Sequence, residues 1–94
     1  MTTKAVQIRR DAMVRRAKRP KCLFCSRGLT IETATLEHLD PVSRGGERWN
    51  RDNLALACET CNVCKGNRTL DEWLSDLIAA KRLVEAHKVM GKKR

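Results

Sequence analysis

Two Cys-x-x-Cys pairs, Cys22 with Cys25 and Cys58 with Cys61, constrain this chain more than any other feature. Each such turn offers two thiolates on one side, and zinc takes four soft ligands in a tetrahedron. Two knuckles complete one closed shell, which predicts a structural zinc that contributes directly to folding. The 32 residues between the pairs exceed the usual ribbon spacing, so the insert is expected to be a folded unit of its own. A chain of 94 residues has room for one domain with a limited core, and 2 Trp, 1 Phe and no Tyr add little aromatic burial. A metal clamp supplies what such a core lacks. The fifth cysteine leaves an alternative open, because Cys61 and Cys64 form a second, overlapping pair that could ligate and leave Cys58 free. Cys58 at a strand-to-helix turn favours the Cys58–Cys61 pair, with Cys64 one helical turn on as a small core residue.

Charge points to the partner. The net charge is +9, from 20 Lys+Arg against 11 Asp+Glu, a balance that suits a polyanion. Nucleic acid is the commonest such partner. No apolar run is long enough to span a bilayer, and the basic stretch Ala5–Lys21 lacks the apolar face of a membrane-surface helix. The N-terminus starts polar and basic with no apolar region behind it, so no secretory signal is expected and the cytoplasm is the default compartment. Disulfides are rare there, which reads the cysteines as metal ligands or reactive thiols.

Along the chain, three segments are expected within one domain. Residues 1–21 are a basic arm or helix, with Lys4–Lys18 either helical or an arm that orders on phosphate, ended by Pro20. Residues 22–68 are the zinc-stabilised core. Within it, Thr30–Leu39 is rich in β-branched residues and reads as one strand or a hairpin arm, Asp40–Asn53 is a polar loop broken by Pro41, Gly45 and Gly46, and Leu54–Ala57 is a second strand. A helix follows from Cys58 and stops at Gly66. Residues 69–94 open with a capping box, Thr69 and Glu72. Leu70, Trp73, Leu74, Leu77, Ile78 and Val84 fall on one helical face, expected to cover the core as an apolar lid, before a basic tail after Gly91. The fold class expected is small α+β.

The residues suited to chemistry lie between and beside the knuckles. Leu36-Glu37-His38-Leu39-Asp40-Pro41 sets a carboxylate beside a histidine at a strand end. Gly45-Gly46, Asn53-Leu54 and Cys61-Asn62-Val63-Cys64-Lys65-Gly66-Asn67 follow in order. This string resembles the HNH (ββα-metal, His-Me finger) endonuclease family in its four-cysteine, zinc-stabilised branch, from Cys22 to about Asn67. The resemblance implies His38 as the general base and Asn53 as the residue that fixes the loop carrying it. It implies Glu37 and Asn62 as ligands of a catalytic divalent metal, and Lys65 as a helix lysine near the phosphate. Small lone proteins similar to this one are encoded by phages and mobile elements, which would put the chain in the host cytoplasm.

Physical chemistry agrees with that division. Histidine ordinarily titrates near neutrality and can act as a neutral base in the cell. A carboxylate and an amide oxygen leave a cation several open positions, and such hard donors suit magnesium or manganese, whereas thiolates select zinc. Adjacent strand residues point to opposite faces, so Glu37 and His38 converge only if the strand bends or ends there. Asp40 is either a reserve ligand or a solvated loop residue. Arg44, Arg48 and Arg51 either grip phosphates or form a solvated basic face, and Trp49 either packs the loop or stacks on a base. Asn50 and Asn67 read as turn formers and His87 as a surface residue. The function expected is metal-dependent hydrolysis of nucleic acid, DNA first. The alternatives are a non-catalytic zinc-binding nucleic-acid module, or an accessory subunit whose C-terminal helix exposes Trp73 or Leu77 to a protein partner. Monomer and dimer are both open, since one active site cuts one strand.

Overall fold

The computed structural model describes residues 3–92, with side chains described as far as residue 86. Helix α1 spans Lys4–Arg16, where Thr3 caps the start by accepting from the Val6 N–H. Strands β1 (Ala34–His38) and β2 (Leu54–Cys58) form an antiparallel pair, with Ala34 opposite Cys58 and His38 opposite Leu54. Helix α2 (Glu59–Lys65) leaves β2 directly, and α3 (Leu70–Lys92) follows a short turn. The described residues thus form a small α+β fold, a two-stranded sheet with three α-helices and two single-turn 3₁₀ helices in the loop between the strands.

The first Cys-x-x-Cys pair sits in a tight turn closed by a bridge between Lys21 and Gly28, and the Leu23 N–H donates to the Leu56 carbonyl. The knuckle is thereby seated on β2. The core gathers Val14, Cys22, Leu29, Ala34, Leu56, Ala57 and Cys58, so two of the knuckle cysteines are core residues in their own right. Val14 brings α1 into that core, which decides the open question about residues 4–18 in favour of a packed helix. The helix ends at Arg16, two residues before the expected Lys18. Strand β1 is shorter than the Thr30–Leu39 expectation. Thr30 and Thr33 instead close a turn on each other, with hydroxyls accepting from backbone N–H groups.

The C-terminal helix corrects another expectation. It is no lid. Trp73 is buried edge-on against Phe24, with ring centroids 5.9 Å apart, but Leu74, Leu77, Ile78 and Val84 are exposed. The reason is length and anchoring. A 23-residue helix runs about 35 Å, well past so small a body. Among the described residues, the helix is held near its start. The Asp40 carboxylate accepts from the Leu70 N–H, Glu72 accepts from the Thr69 N–H, and Arg44 pairs with Glu72. Trp73 is therefore unavailable to a partner, while Leu77 is exposed. The His87 side chain lies outside the described residues, as do those of the basic tail.

The polar loop between the strands turns at Pro41–Gly46, where the Gly46 N–H donates to the Pro41 carbonyl. Gly45 has φ of +91°, which side-chain-bearing residues rarely adopt. Gly46 is needed for space, because a Cβ there would collide with the Asp40 carbonyl. Gly46→Ala is expected to destabilise the fold by roughly 1–3 kcal/mol, whereas Gly45→Asn is milder because asparagine tolerates a left-handed backbone. Thermal melts of the two variants check this ordering.

Candidate active site

Four sulfurs form the first centre. Cys22, Cys25, Cys58 and Cys61 place their Sγ atoms within 4.8 Å of one another. Tetrahedral zinc with Zn–S bonds of about 2.3 Å needs sulfurs about 3.8 Å apart. The Cys25–Cys58 separation is 3.8 Å. Cys58 also caps α2, its sulfur accepting from the Cys61 N–H, so the strand-to-helix turn shapes the knuckle. Burial pushes the Cys22 thiol up, but backbone groups of Cys58, Cys25 and Phe24, with the Cys25 thiol, outweigh it and bring it down to about 6. Burial and the thiols of Cys58, Cys22 and Cys25 push Cys61 far above the ordinary thiol range. The Cys22 thiolate forms readily here, and Cys61 needs a cation to follow. The four cysteines are positioned to hold a metal ion, and their softness and spacing fit zinc. Cys64 stands outside this cluster and is exposed, not a core residue as expected, because its position on α2 points away from the sheet.

The second centre is built where α2 crosses β1. Thr35 and Glu37 alternate onto one side of the strand, and Asn62 and Lys65 lie one helical turn apart on α2. The two pairs interlock. Asn62 Nδ2 donates to the Thr35 hydroxyl at 3.0 Å, and Lys65 Nζ donates to Glu37 Oε1 at 3.2 Å. Lys65 also donates to the carbonyls of His38 and Arg68, and it is 0% exposed. This corrects the expectation that Lys65 meets the phosphate. Its ammonium is spent on one carboxylate and two carbonyls inside the protein. Burial pushes the Glu37 carboxyl above its ordinary range, against the opposing pull of Lys65 and His38.

His38 is the last residue of β1, which is how adjacent residues come to share a site. Glu37, His38, Asn62 and Arg48 line one shallow depression with Leu36 and Gly66. His38 Nε2 lies 2.9 Å from the Arg48 carbonyl. A carbonyl only accepts, so in the neutral ring Nε2 carries the proton and Nδ1 keeps the lone pair. Asn53 holds the loop behind it. Its Oδ1 accepts from the Asp40 N–H, and its Nδ2 donates to the carbonyls of Asp40 and Glu47. Asn50 accepts from the Asp52 N–H, and Asn67 accepts from the Ser43 hydroxyl.

The arginines divide. Arg44 is held by Glu72 and the Asn67 carbonyl and serves the loop–helix junction. Arg48 borders the depression, and Arg51 lines a groove with Arg9 and Arg16 of α1. Trp49 is covered by the Arg9 guanidinium at 4.9 Å, so it packs the loop toward α1. Thr35 and Arg68 were not legible as site residues. Arg68 lies over Trp73 and pairs with Asp76, and nothing in its spacing announced that.

Residues 22–68 match the family profile described as HNH endonuclease. The chain belongs to the HNH endonuclease family. It is 28% identical over 69 residues, 69% of this chain, to the CRISPR-associated endonuclease Cas9 of Corynebacterium diphtheriae. It is 35% identical over 52 residues, 55% of this chain, to the Cas9 of Actinomyces naeslundii. The chain spans only 6% and 5% of those two proteins. A solved structure described as a type II restriction endonuclease is similar with a TM-score of 0.52 and 27% identity, over 71% of this chain and 32% of that one. No helix among the described residues is long and apolar enough to cross a membrane.

Three outcomes follow from this geometry. Stripping the metal with a strong chelator is expected to unfold the chain, since four thiols packed this closely lose their common partner. Cys58→Ser should lose the metal while Cys64→Ser keeps it, as metal analysis and circular dichroism will read. Lys65→Met leaves Glu37 buried without its cation and should cost about 3–5 kcal/mol in denaturant unfolding. Adding Glu37→Gln to that variant should recover part of the loss.

Proposed function

We propose that this chain is a metal-dependent endonuclease that hydrolyses phosphodiester bonds of nucleic acid, DNA in the first place. The observation that carries this reading is the shared depression, which His38, Glu37 and Asn62 line together, with Nδ1 of His38 left as the free ring nitrogen once Nε2 is taken by the Arg48 carbonyl. A nucleic-acid-binding module has no use for a base and two hard-oxygen donors together. The restriction endonuclease and Cas9 relatives support the same chemistry.

In this mechanism His38 Nδ1 takes a proton from water. The water oxygen attacks phosphorus opposite the 3′-oxygen, the bond to that oxygen breaks with its electron pair on the 3′-oxygen, which takes a proton from solvent to leave as a 3′-hydroxyl, and a 5′-phosphate remains. The Arg48 carbonyl holds the ring through Nε2 and favours the charge it gains. Glu37 and Asn62 would hold magnesium or manganese, whose Lewis acidity offsets charge on the phosphate and the leaving oxygen. Asn53 keeps the loop, and with it the Arg48 carbonyl, in register with β1. Arg48 and Arg51, continued by Arg9 and Arg16 of α1, offer a basic track for the backbone, and binding through it weakens with salt.

His38→Ala is expected to slow cleavage of supercoiled plasmid by about 10²–10⁴-fold. Zinc content and DNA binding should stay at the parent's level, because His38 is assigned to neither. A variant that cuts as fast as the parent in both magnesium and manganese would remove the catalytic assignment and leave a binding module.

A further inference from the structure

Thr35 sits between the sheet and Asn62, and its hydroxyl makes two contacts. Oγ1 donates to the Ala57 carbonyl at 2.8 Å and accepts from Asn62 Nδ2 at 3.0 Å. The proton inventory makes this arrangement directional. A carbonyl carries no proton, so two oxygens 2.8 Å apart need the hydroxyl's single proton between them. With that proton committed to Ala57, the oxygen of Thr35 can only accept from Asn62. The amide must then turn its NH₂ to Thr35 and its Oδ1 the other way. Asn62 lines the depression it shares with Glu37 and His38. A flipped amide would set two oxygens against each other at Thr35 and turn an NH₂ toward the cation.

We infer that Thr35 is a positioning residue that locks the Asn62 amide with its oxygen toward the catalytic metal. The inference rests on the reading that Glu37 and Asn62 hold that metal. The relay runs from the β2 backbone through one hydroxyl to one amide, so the sheet register that pairs Thr35 with Ala57 sets the polarity of a ligand on α2. Serine preserves this device. Valine keeps the shape and abolishes it.

The test uses the full zinc-loaded chain without nucleic acid and reads Mn²⁺ affinity from the resonance of free Mn²⁺. Manganese does not compete for the thiolates. Losing an outer partner of a metal ligand typically costs roughly 10–100-fold in affinity, and Thr35→Val is expected to weaken Mn²⁺ binding by that factor. Thr35→Ser should bind as the parent does. Because Thr35 acts through Asn62, adding Thr35→Val to Asn62→Ala should change nothing further. Thr35→Val binding Mn²⁺ like the parent, while Asn62→Ala binds it weakly, overturns the positioning role alone. Asn62→Ala binding like the parent overturns the metal-site reading and this inference with it. If Thr35→Val fails to hold zinc, the parent decides by nuclear Overhauser contacts. Contacts from the Asn62 side-chain NH₂ to the Thr35 methyl support the inference, and their absence overturns it.

Discussion

Four sulfurs within 4.8 Å tie together two stretches of chain that lie far apart in sequence, and every other feature hangs from that knot. Cys22 and Cys25 arrive on a tight turn closed by the Lys21–Gly28 bridge, outside any longer strand or helix. Cys58 and Cys61 arrive at the end of β2 and the start of α2. Closing the knot sets the first knuckle on β2, buries Cys22 and Cys58, and fixes the angle at which α2 leaves the sheet. A core built around Val14, Leu29, Ala34, Leu56 and Ala57 is small for a chain of this length. A bound cation among thiolates is the stronger tie, because the unfolded chain has no comparable site for it.

Helix α2 carries this constraint into the depression lined by Glu37, His38 and Asn62. Within seven residues it holds Cys61 for the sulfur cluster, Asn62 against Thr35 and Lys65 against Glu37. One rigid turn of helix therefore couples folding to the placement of the polar groups. The buried ion pair is the second device. A carboxylate is costly to bury, and burial does push Glu37 upward, but Lys65 sits beside it with its ammonium fully enclosed. Lys65 also takes up the carbonyls of His38 and Arg68, which fastens the end of β1 to the turn before α3. The helix lysine thus acts on the geometry of the strand end, not on a ligand in solvent.

Soft and hard donors are kept apart by the same architecture. Thiolates meet at the knuckles, where the backbone brings four sulfurs together. Oxygen donors meet on the other part of α2, where a strand end and a loop leave open space. The basic surface runs past this second region through Arg48, Arg51, Arg9 and Arg16. Helix α3 keeps Leu74, Leu77, Ile78 and Val84 exposed, and among the described residues it is held through Trp73, the polar contacts of its first turn and the Arg68–Asp76 pair.

Local pattern was enough for the knuckles, the two strands, the helix that stops at Gly66 and the capping box before α3. Each depends on spacing, caps and breakers within a few residues, and those are written in sequence. The string from Glu37 to Asn67 likewise carried the family resemblance, because motif order survives without coordinates. Other features depend on which atoms face each other across elements. Sequence did not say that Lys65 turns inward, since a lysine reads as exposed until a buried carboxylate is found opposite it. Nor did it say that Cys64 faces solvent, or that α3 runs clear of the core, because helical periodicity shows an apolar face without showing what covers it. Thr35 was invisible for the same reason. Its hydroxyl matters only because β-pairing sets it against the Ala57 carbonyl and α2 brings Asn62 above it, and hydrogen-bond direction is decided by three groups meeting in space.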